Sequence, residues 1–547
     1  MDYRPVYRDR TPRHSESMIA AYVAQGYWGE QTILERFRQI VAQRPDKEAL
    51  IEGAHRFTYR QLNDQVEQTR QGLAALGLQP GDLIAVQLPN WWEQIVASLA
   101  IIDLGAVLVP VSIRLRGELK YILEFTAARA IVLPEAYHGF DHVGLVSELK
   151  PALPDLEHLV VPRLGRDLLG VVSFDRLQRM SGDSAPPAAL DPNDPWEIIF
   201  TSGTTSAPKG VVRTHNNTLR TLSNLSNHYD FIRPDGSDIV LAILPVSFIF
   251  SQYLGVLSAL LFGATLVLQD SFEPGAALKL LEREGVTYFG IVPSIVERFF
   301  EVEDLAQRDL STLRYVSPAG EAVTRERKER IREAFGCDVL ESYGLSEFTW
   351  PLGQVMRAGW EKKVSRTGIA SPGTELAIVD AGGEPVPAGE TGELLLRGPT
   401  RFPGYYGNPE ATEECLDEDG WFHTGDLAQL DDDGFYAIVG RVKDVIKRKG
   451  SLIVPHEIED ALGEHPDLKD VAVVGLADPE RGEIACACVV LRPGANLGTE
   501  ELLSFLEGKL ATFKLPERIE FLDELPVSPV GKVLKSDLKA MFENQRA

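Results

Sequence analysis

The sequence predicts an α/β protein in two parts: a large N-terminal domain of parallel and mixed sheets carrying a small antiparallel β subdomain, followed by a small α+β C-terminal domain. Three observations lead there. The chain has 547 residues, 44% of them apolar, which is too long for one ordinary hydrophobic core and apolar enough to fill more than one. Helix-like and strand-like patterns alternate through residues 190–340, as parallel strands joined by crossover helices require. After residue 375 the texture shifts to short strands broken by Gly and Pro, as in ELAIVDAGGEPVPAGETGELLLRG, and from Arg441 it shifts again.

Taken in order, Thr58 and Gln61 form a capping-box pattern, and Leu62, Val66, Leu73 and Leu76 follow at helical spacing until Gly77 stops the run. DLIAVQLPN reads as a short strand, and a second apolar helix and strand reach Val109. The Pro-rich SAPPAALDPNDP reads as a loop before a central strand. LAILPVSFIF and ATLVLQD read as strands of the large domain. From Gly255 to Leu268 runs the longest apolar stretch, shorter than the roughly 18–20 residues of a membrane span and therefore a buried helix running into a strand. Beyond Arg441 come a basic strand or turn, a helix opened by Pro455 and carrying Ile458 and Leu462, strands around VAVVGL and ACACVVL, and a helix near Leu502–Leu510. These place the domains at 1–440 and 441–547, with the boundary at Gly440 to Lys443. No internal repeat is evident.

A formal net charge of -25 repels a phosphate backbone and argues against nucleic acid as a general partner. The four cysteines, Cys337, Cys415, Cys486 and Cys488, are too few and scattered for a disulfide framework, which suits a reducing compartment. Cys486 and Cys488 invite a zinc reading, but they sit in an alternating strand pattern with no second ligand pair nearby. The charged N-terminus MDYRPVYRDRTPRHSES has no apolar segment of the signal-peptide kind, so a cytoplasmic protein is expected.

The short apolar run WEIIF leads into Thr201, Ser202, Gly203, Thr204, Thr205, Ser206, Ala207, Pro208, Lys209 and Gly210. Backbone amides beside Gly203, five hydroxyls and the Lys209 ammonium suit the oxygens of a polyphosphate. The order Lys209-Gly210 after a Pro is not the Gly-Lys-Ser/Thr of a Walker loop. Without context, a polar strand-to-strand connection is the alternative reading of these residues.

That loop resembles the signature of the adenylate-forming superfamily, which comprises acyl- and aryl-CoA synthetases, the adenylation domains of peptide synthetases, and firefly luciferase. Six further elements stand in the superfamily's order: SPAGEAV at 317–323, ESYGLSE at 341–347, GELLLRGP at 392–399, WFHTGDL at 421–427, GRVKDVIKRKG at 440–450 and PVSPVGK at 526–532. The resemblance thus covers nearly the whole chain. It implies ATP and coenzyme A as co-substrates, Mg²⁺ as cofactor, a carboxylic acid as the group activated, and a mobile C-terminal domain. A carrier protein is the alternative acceptor, and a homodimer is compatible with the resemblance.

Residue by residue, the resemblance makes Lys532 the catalytic lysine that bridges the carboxylate and the α-phosphate. Thr201, Ser202, Gly203, Thr204, Thr205 and Lys209 become the phosphate loop. Gly320, Glu321, Tyr343, Gly344, Ser346, Asp426, Ile438 and Arg441 become the rest of the ATP site, with Tyr343 on adenine and Asp426 accepting the ribose hydroxyls. Glu347 matches the Mg²⁺ carboxylate, a hard oxygen ligand for a hard cation. Out of context, Tyr343-Gly344 and Asp426 read as turn residues, and Glu347 as a carboxylate at a helix start. Lys443 matches the hinge about which the small domain turns between an adenylating pose, with Lys532 in the site, and a thioester-forming pose, with Lys449 and Gly450 in the thiol channel. The cluster Lys447, Arg448, Lys449 reads either as a seat for the phosphates of coenzyme A or as a solvated face.

The stretch QGYWGEQTILERF resembles the branch of cyclohexanecarboxylate-CoA ligases and dihydroxybenzoate-AMP ligases. In the hydroxybenzoate enzymes the segment matching LPVSFIF reads LPVAHNF, and its Asn binds the substrate's 2-hydroxyl; here the His and Asn positions are Phe248 and Ile249. An unpaired buried hydroxyl costs about 1–3 kcal/mol, so this exchange argues against hydroxybenzoates. Phe248, Ile249, Phe250, Ala319 and Leu345 form the expected acid pocket, suited to a carbocyclic or simple aromatic acid first and a medium-chain fatty acid second. The alternative reading makes Phe248 and Ile249 ordinary core residues.

Overall fold

The computed structural model describes residues 10–180, 190–201, 208–320, 323–449, 451–527 and 533–543. Among them, two seven-stranded sheets build the large domain. One sheet runs Asp338–Val339, Tyr315–Pro318, Tyr288–Ile291, Ile239–Ala242, Thr265–Leu268, Glu48–Glu52 and His55–Thr58, parallel except for its last pair. The other runs Lys209–Thr214, Pro195–Thr201, Val107–Pro110, Leu83–Val86, Ala130–Val132, His158–Val161 and Val171–Ser173, parallel except for its first pair.

Strand periodicity explains how both faces are covered. Ile84 and Val86 point into a core shared by the two sheets and by helices Tyr59–Ala75 and Trp92–Leu104, while Leu83 and Ala85 point into a separate core on the far side. The first helix starts where the capping box expects: Thr58 Oγ1 accepts from Gln61 N–H at 3.2 Å, and Gln61 Oε1 accepts from Thr58 N–H at 2.9 Å.

Strand order fixes where a site can form. Ile239–Ala242 pairs with Thr265–Leu268 on one side and with Tyr288–Ile291 on the other, so strand addition reverses across it. A crevice opens outside the carboxyl ends of strands at such a reversal, and this is where open α/β sheets bind ligands.

LAILPVSFIF departs from the expected strand. The strand ends at Ala242, Phe248 caps a helix beginning at Ile249, and that helix passes through a π segment, Gln252–Leu257, to Phe262. Pro245 offers no N–H to extend a ladder, and a uniformly apolar run does not distinguish a buried strand from a buried helix. Gly263, at φ 77°, ends the helix before the strand Thr265–Leu268, so the stretch from Gly255 is the expected helix running into a strand.

The antiparallel subdomain comprises Glu375–Val379, Gly392–Arg397, Phe422–Leu430 and Tyr436–Arg441. Arg441 thus completes a strand of this sheet, and a 3₁₀ turn, Val442–Asp444, carrying Lys443, leads out of it. Ile446–Arg448, Ser451–Ile453, Leu468–Asp478, Gly482–Leu491 and Arg518–Phe521 make the C-terminal sheet. Helices Pro455–Gly463 and Thr499–Leu506 cover one face and Lys535–Glu543 the other, where Cys486 and Cys488 lie fully buried beside Leu538 and Phe542. No helix among the described residues is long and apolar enough to cross a membrane.

Candidate active site

Thr201 and Lys209 face each other at the open end of an antiparallel pair, so the Ser/Thr/Gly loop is the connection between two strands. Ser202, Gly203, Thr204 and Thr205 lie outside the described residues, as do Glu321, Gly450 and Lys532. Deeper in the same pair, Glu197 stands opposite Arg213, and both are fully buried. Arg213 donates to Tyr253 Oη at 3.0 Å, to the Ser346 carbonyl at 3.3 Å, to the Thr400 carbonyl at 3.4 Å and to Thr349 Oγ1 at 2.8 Å. One buried guanidinium thus ties the phosphate-loop strand to the segment carrying Tyr343, Gly344, Leu345, Ser346 and Glu347. A planar fork with five donors suits that task better than a lysine.

Glu197 accepts from Gln252 Nε2 at 2.5 Å, and burial holds its carboxyl up at about 8, from an ordinary 4.5. The folded chain keeps a proton there that the unfolded chain releases. The associated stability is therefore complete below the unfolded value and is lost as pH rises through the folded one. Between about pH 7 and about pH 9 the loss is on the order of 1 kcal/mol. Glu197→Gln, which cannot ionise, is expected to flatten the alkaline fall of the melting temperature over that interval, and an unchanged slope would assign the fall to another group.

Tyr343, Asp426 and Arg441 form one cluster. Tyr343 Oη donates to Asp426 Oδ2 at 2.5 Å and Arg441 Nε donates to Asp426 Oδ1 at 2.9 Å. Asp426 and Arg441 are register partners on neighbouring strands, which is how residues fifteen positions apart meet. Burial and the Asp426 carboxylate push the Tyr343 phenol well above its usual range. On the same strand as Arg441, Ile438 is half-buried and its N–H donates to Thr367 Oγ1 at 3.1 Å. Gly344 is exposed, and a Cβ there would stand 2.9 Å from the Trp350 nitrogen.

Glu347 forms the second cluster. Tyr405 Oη donates to Glu347 Oε1 at 2.7 Å, the Glu347 carbonyl accepts from Phe402 N–H at 2.7 Å, and Lys209 Nζ lies 5.1 Å from the Tyr405 ring centre. No group of three or more His, Cys, Asp or Glu among the described residues could cage a metal. A lone Glu347 fits an ion held mainly by phosphates and water, as Mg²⁺ usually is.

Phe248, Ile249 and Phe250 sit at the carboxyl end of Ile239–Ala242, and Ala319 and Gly320 follow the strand Tyr315–Pro318 in the same sheet. All three of Phe248, Ile249 and Phe250 are half-buried rather than sealed in a core, and Ile249 packs against Leu345's cluster. Gly320 has φ 93°, a left-handed conformation that favours glycine. Lys449, by contrast, lies in the turn after the C-terminal strand Ile446–Arg448, with φ 47°, and donates its N–H to the Arg481 carbonyl at 2.9 Å. Arg448 pairs with Glu517 and the Phe513 carbonyl, so of the basic cluster Lys447 and Lys449 are the exposed members.

Three participants escaped the sequence reading: Arg213, Tyr405 and Trp350. Arg213 had a visible signal, a charge inside the apolar strand KGVVRTH opposite the equally anomalous Glu197 of PWEIIF. Tyr405 and Trp350 had none, because only tertiary packing brings them to Glu347 and Phe250.

Two family models match the chain, the AMP-binding enzyme over residues 37–406 and the AMP-binding enzyme C-terminal domain over residues 457–532. A 2-hydroxy-7-methoxy-5-methyl-1-naphthoate–CoA ligase of Streptomyces carzinostaticus is 32% identical, covering 96% of this chain and 96% of its own. The medium-chain fatty-acid–CoA ligase of Escherichia coli K12 is 33% identical, covering 95% of this chain and 92% of its own. Among solved structures, an anthranilate CoA ligase in complex with anthranoyl-AMP superposes with a TM-score of 0.87 at 26% identity, over 94% of this chain and 98% of that one. The chain belongs to the AMP-binding enzyme family of the adenylate-forming superfamily and is an AMP-forming acid–thiol ligase.

Proposed function

We propose that the chain is a carboxylic acid:CoA ligase that forms an acyl-adenylate from an apolar carbocyclic, aromatic or medium-chain acid and transfers the acyl group to coenzyme A. The observation that carries this reading is the convergence of the Tyr343–Asp426–Arg441 and Glu347–Tyr405 clusters on one loop held by Arg213.

In the first half-reaction a carboxylate oxygen bonds to the α-phosphorus of ATP and the bond to the β-phosphate oxygen breaks, releasing pyrophosphate. Two anions must meet, so the chain's task is to place positive charge and donors around them. Lys532 fills that role between the carboxylate and the α-phosphate, and Lys209 with the loop 201–205 holds the outgoing phosphates. Asp426 accepts from the ribose hydroxyls, with Arg441 beside it, and Tyr343 lies on the adenine. Glu347 would hold Mg²⁺, which neutralises phosphate charge when bound. In the second half-reaction the thiol gives up its proton to solvent, its sulfur bonds to the acyl carbon, and the bond from that carbon to the phosphate oxygen breaks, AMP departing with the electron pair. Residues 441–547 turn about Lys443 between the two steps, taking Lys532 out and bringing Lys449 and Gly450 in.

Coenzyme A is favoured over a carrier protein as acceptor because Lys447 and Lys449 stand exposed for its phosphates. An apolar acid is favoured by Phe248, Ile249, Phe250, Ala319 and Leu345. The test is pyrophosphate release from Mg-ATP across a panel of acids with and without coenzyme A, with the thioester identified by mass spectrometry. Turnover that rises with coenzyme A and yields acyl-CoA is expected. Adenylate formation indifferent to coenzyme A would transfer the proposal to a carrier protein, and no release with any acid would overturn it.

A further inference from the structure

Residues 401–406 run between the two halves of the proposed nucleotide site. At one end Arg401 forms an antiparallel bridge with Phe348, and the Phe402 N–H donates to the Glu347 carbonyl at 2.7 Å. At the other end Tyr405 bridges Val211, just past Lys209, and the Tyr406 N–H donates to the Gly210 carbonyl at 2.7 Å. One short segment is therefore hydrogen-bonded both to the strand that leaves the phosphate loop and to the loop that carries Glu347.

The Tyr405 side chain joins the same two parts a second time. It is 6% exposed, its Oη donates to Glu347 Oε1 at 2.7 Å, and Lys209 Nζ stands over its ring at 5.1 Å, within reach of a cation–π contact. Phe402 meets the ring edge-on at 4.9 Å and 73°, and the Tyr405 N–H donates to Thr412 Oγ1 at 2.9 Å, so ring and backbone are both held. A hydrogen bond at Oε1 fixes the rotation of the Glu347 carboxylate and with it the direction of Oε2.

We infer that Tyr405 is a positioning residue that sets the Glu347 carboxylate against the Lys209 ammonium, so that a phosphate-bound Mg²⁺ and this cation meet one polyphosphate together. The inference rests on the reading of Glu347 as the Mg²⁺ carboxylate and assigns that carboxylate its support. Removing a group that holds a ligating carboxylate by hydrogen bond typically costs about 10- to 100-fold in metal affinity. Nucleotide binding that depends on Mg²⁺ should therefore weaken without the Tyr405 hydroxyl, and binding that needs no metal should not.

The test reads equilibrium binding of α,β-methylene-ATP, in which carbon replaces the oxygen that must leave, so no turnover intervenes. In full-length protein the affinity is measured with excess Mg²⁺ and with a chelator, and the ratio of the two is the gain due to the metal. Tyr405→Phe keeps the ring over Lys209 and removes only the hydroxyl. It is expected to cut the gain about tenfold and to leave metal-free binding and AMP binding unchanged. Glu347 is half-buried, so water can replace the phenol, and unchanged AMP binding verifies the fold. In Glu347→Gln the gain should already be small, and adding Tyr405→Phe should lower it no further, because the hydroxyl acts through the carboxylate. Equal weakening of AMP and of the analogue makes Tyr405 a structural support only and overturns the inference. An undiminished gain in Tyr405→Phe, or an equal drop with and without Glu347, overturns it as well. If Glu347→Gln keeps the full gain, the Mg²⁺ role proposed for Glu347 is itself wrong and the inference falls with it.

Discussion

Lys532→Ala is expected to lower acid-dependent pyrophosphate release by about 10²- to 10³-fold while changing the reaction of pre-formed acyl-adenylate with coenzyme A only a few-fold. The asymmetry follows from charge. Bringing a carboxylate onto an anionic phosphorus is opposed by like-charge repulsion, and a lysine placed between them offsets it in the transition state. Attack of a thiol on the mixed anhydride has no such repulsion at the phosphorus and is proposed to occur with Lys532 turned away. The cations that follow it offer no substitute. Lys535 Nζ donates to Glu459 Oε1 at 2.6 Å, and Lys539 Nζ lies 3.6 Å from Glu483, so both are tied within the C-terminal unit. Lys539→Ala is the matched control and should leave adenylation intact. Equal loss of both half-reactions in Lys532→Ala would sink the two-pose mechanism.

Local rules carried much of the reading and failed where packing decides. Thr58 and Gln61 announce a helix start because a capping box is written in adjacent positions, and the structure pairs them as written. The order of motifs from SPAGEAV to WFHTGDL is legible in the sequence because each is a contiguous segment that needs no tertiary contact to be recognised. Strand order is different: nothing in Ile239–Ala242 states that its neighbours will be Thr265–Leu268 and Tyr288–Ile291, yet that arrangement opens the crevice. LAILPVSFIF misled because a uniformly apolar run has the same composition as helix or strand. Arg213 was legible in principle, since a charge in an apolar strand needs partners. Counting the pairing from Thr201 and Lys209 puts Glu197 opposite it.

The second large effect concerns Asp426, and here the structure supplies a rival explanation that the experiment must separate. Its two carboxylate oxygens already accept from Tyr343 and Arg441, so the residue could serve only to staple the strand Tyr436–Arg441 to the loop at 343–347. Each carboxylate oxygen, however, accepts more than one hydrogen bond, which leaves capacity for two ribose hydroxyls. Charge-assisted hydrogen bonds of this kind contribute about 1.5–3 kcal/mol each. Asp426→Ala should therefore raise the KM for ATP at least about 100-fold, whereas Asp426→Asn, which keeps one acceptor oxygen, should raise it about 10-fold. The Arg441 side chain is 49% exposed, so losing its partner lets it return to water and the fold should survive the change. The ribose separates the two roles. With 2′-deoxy-ATP the wild-type protein should lose affinity and Asp426→Ala should not, because the carboxylate that read the missing hydroxyl is already gone. If the variant melts earlier but discriminates ATP from 2′-deoxy-ATP as the wild type does, Asp426 is a staple, and the ribose is held by groups other than this carboxylate.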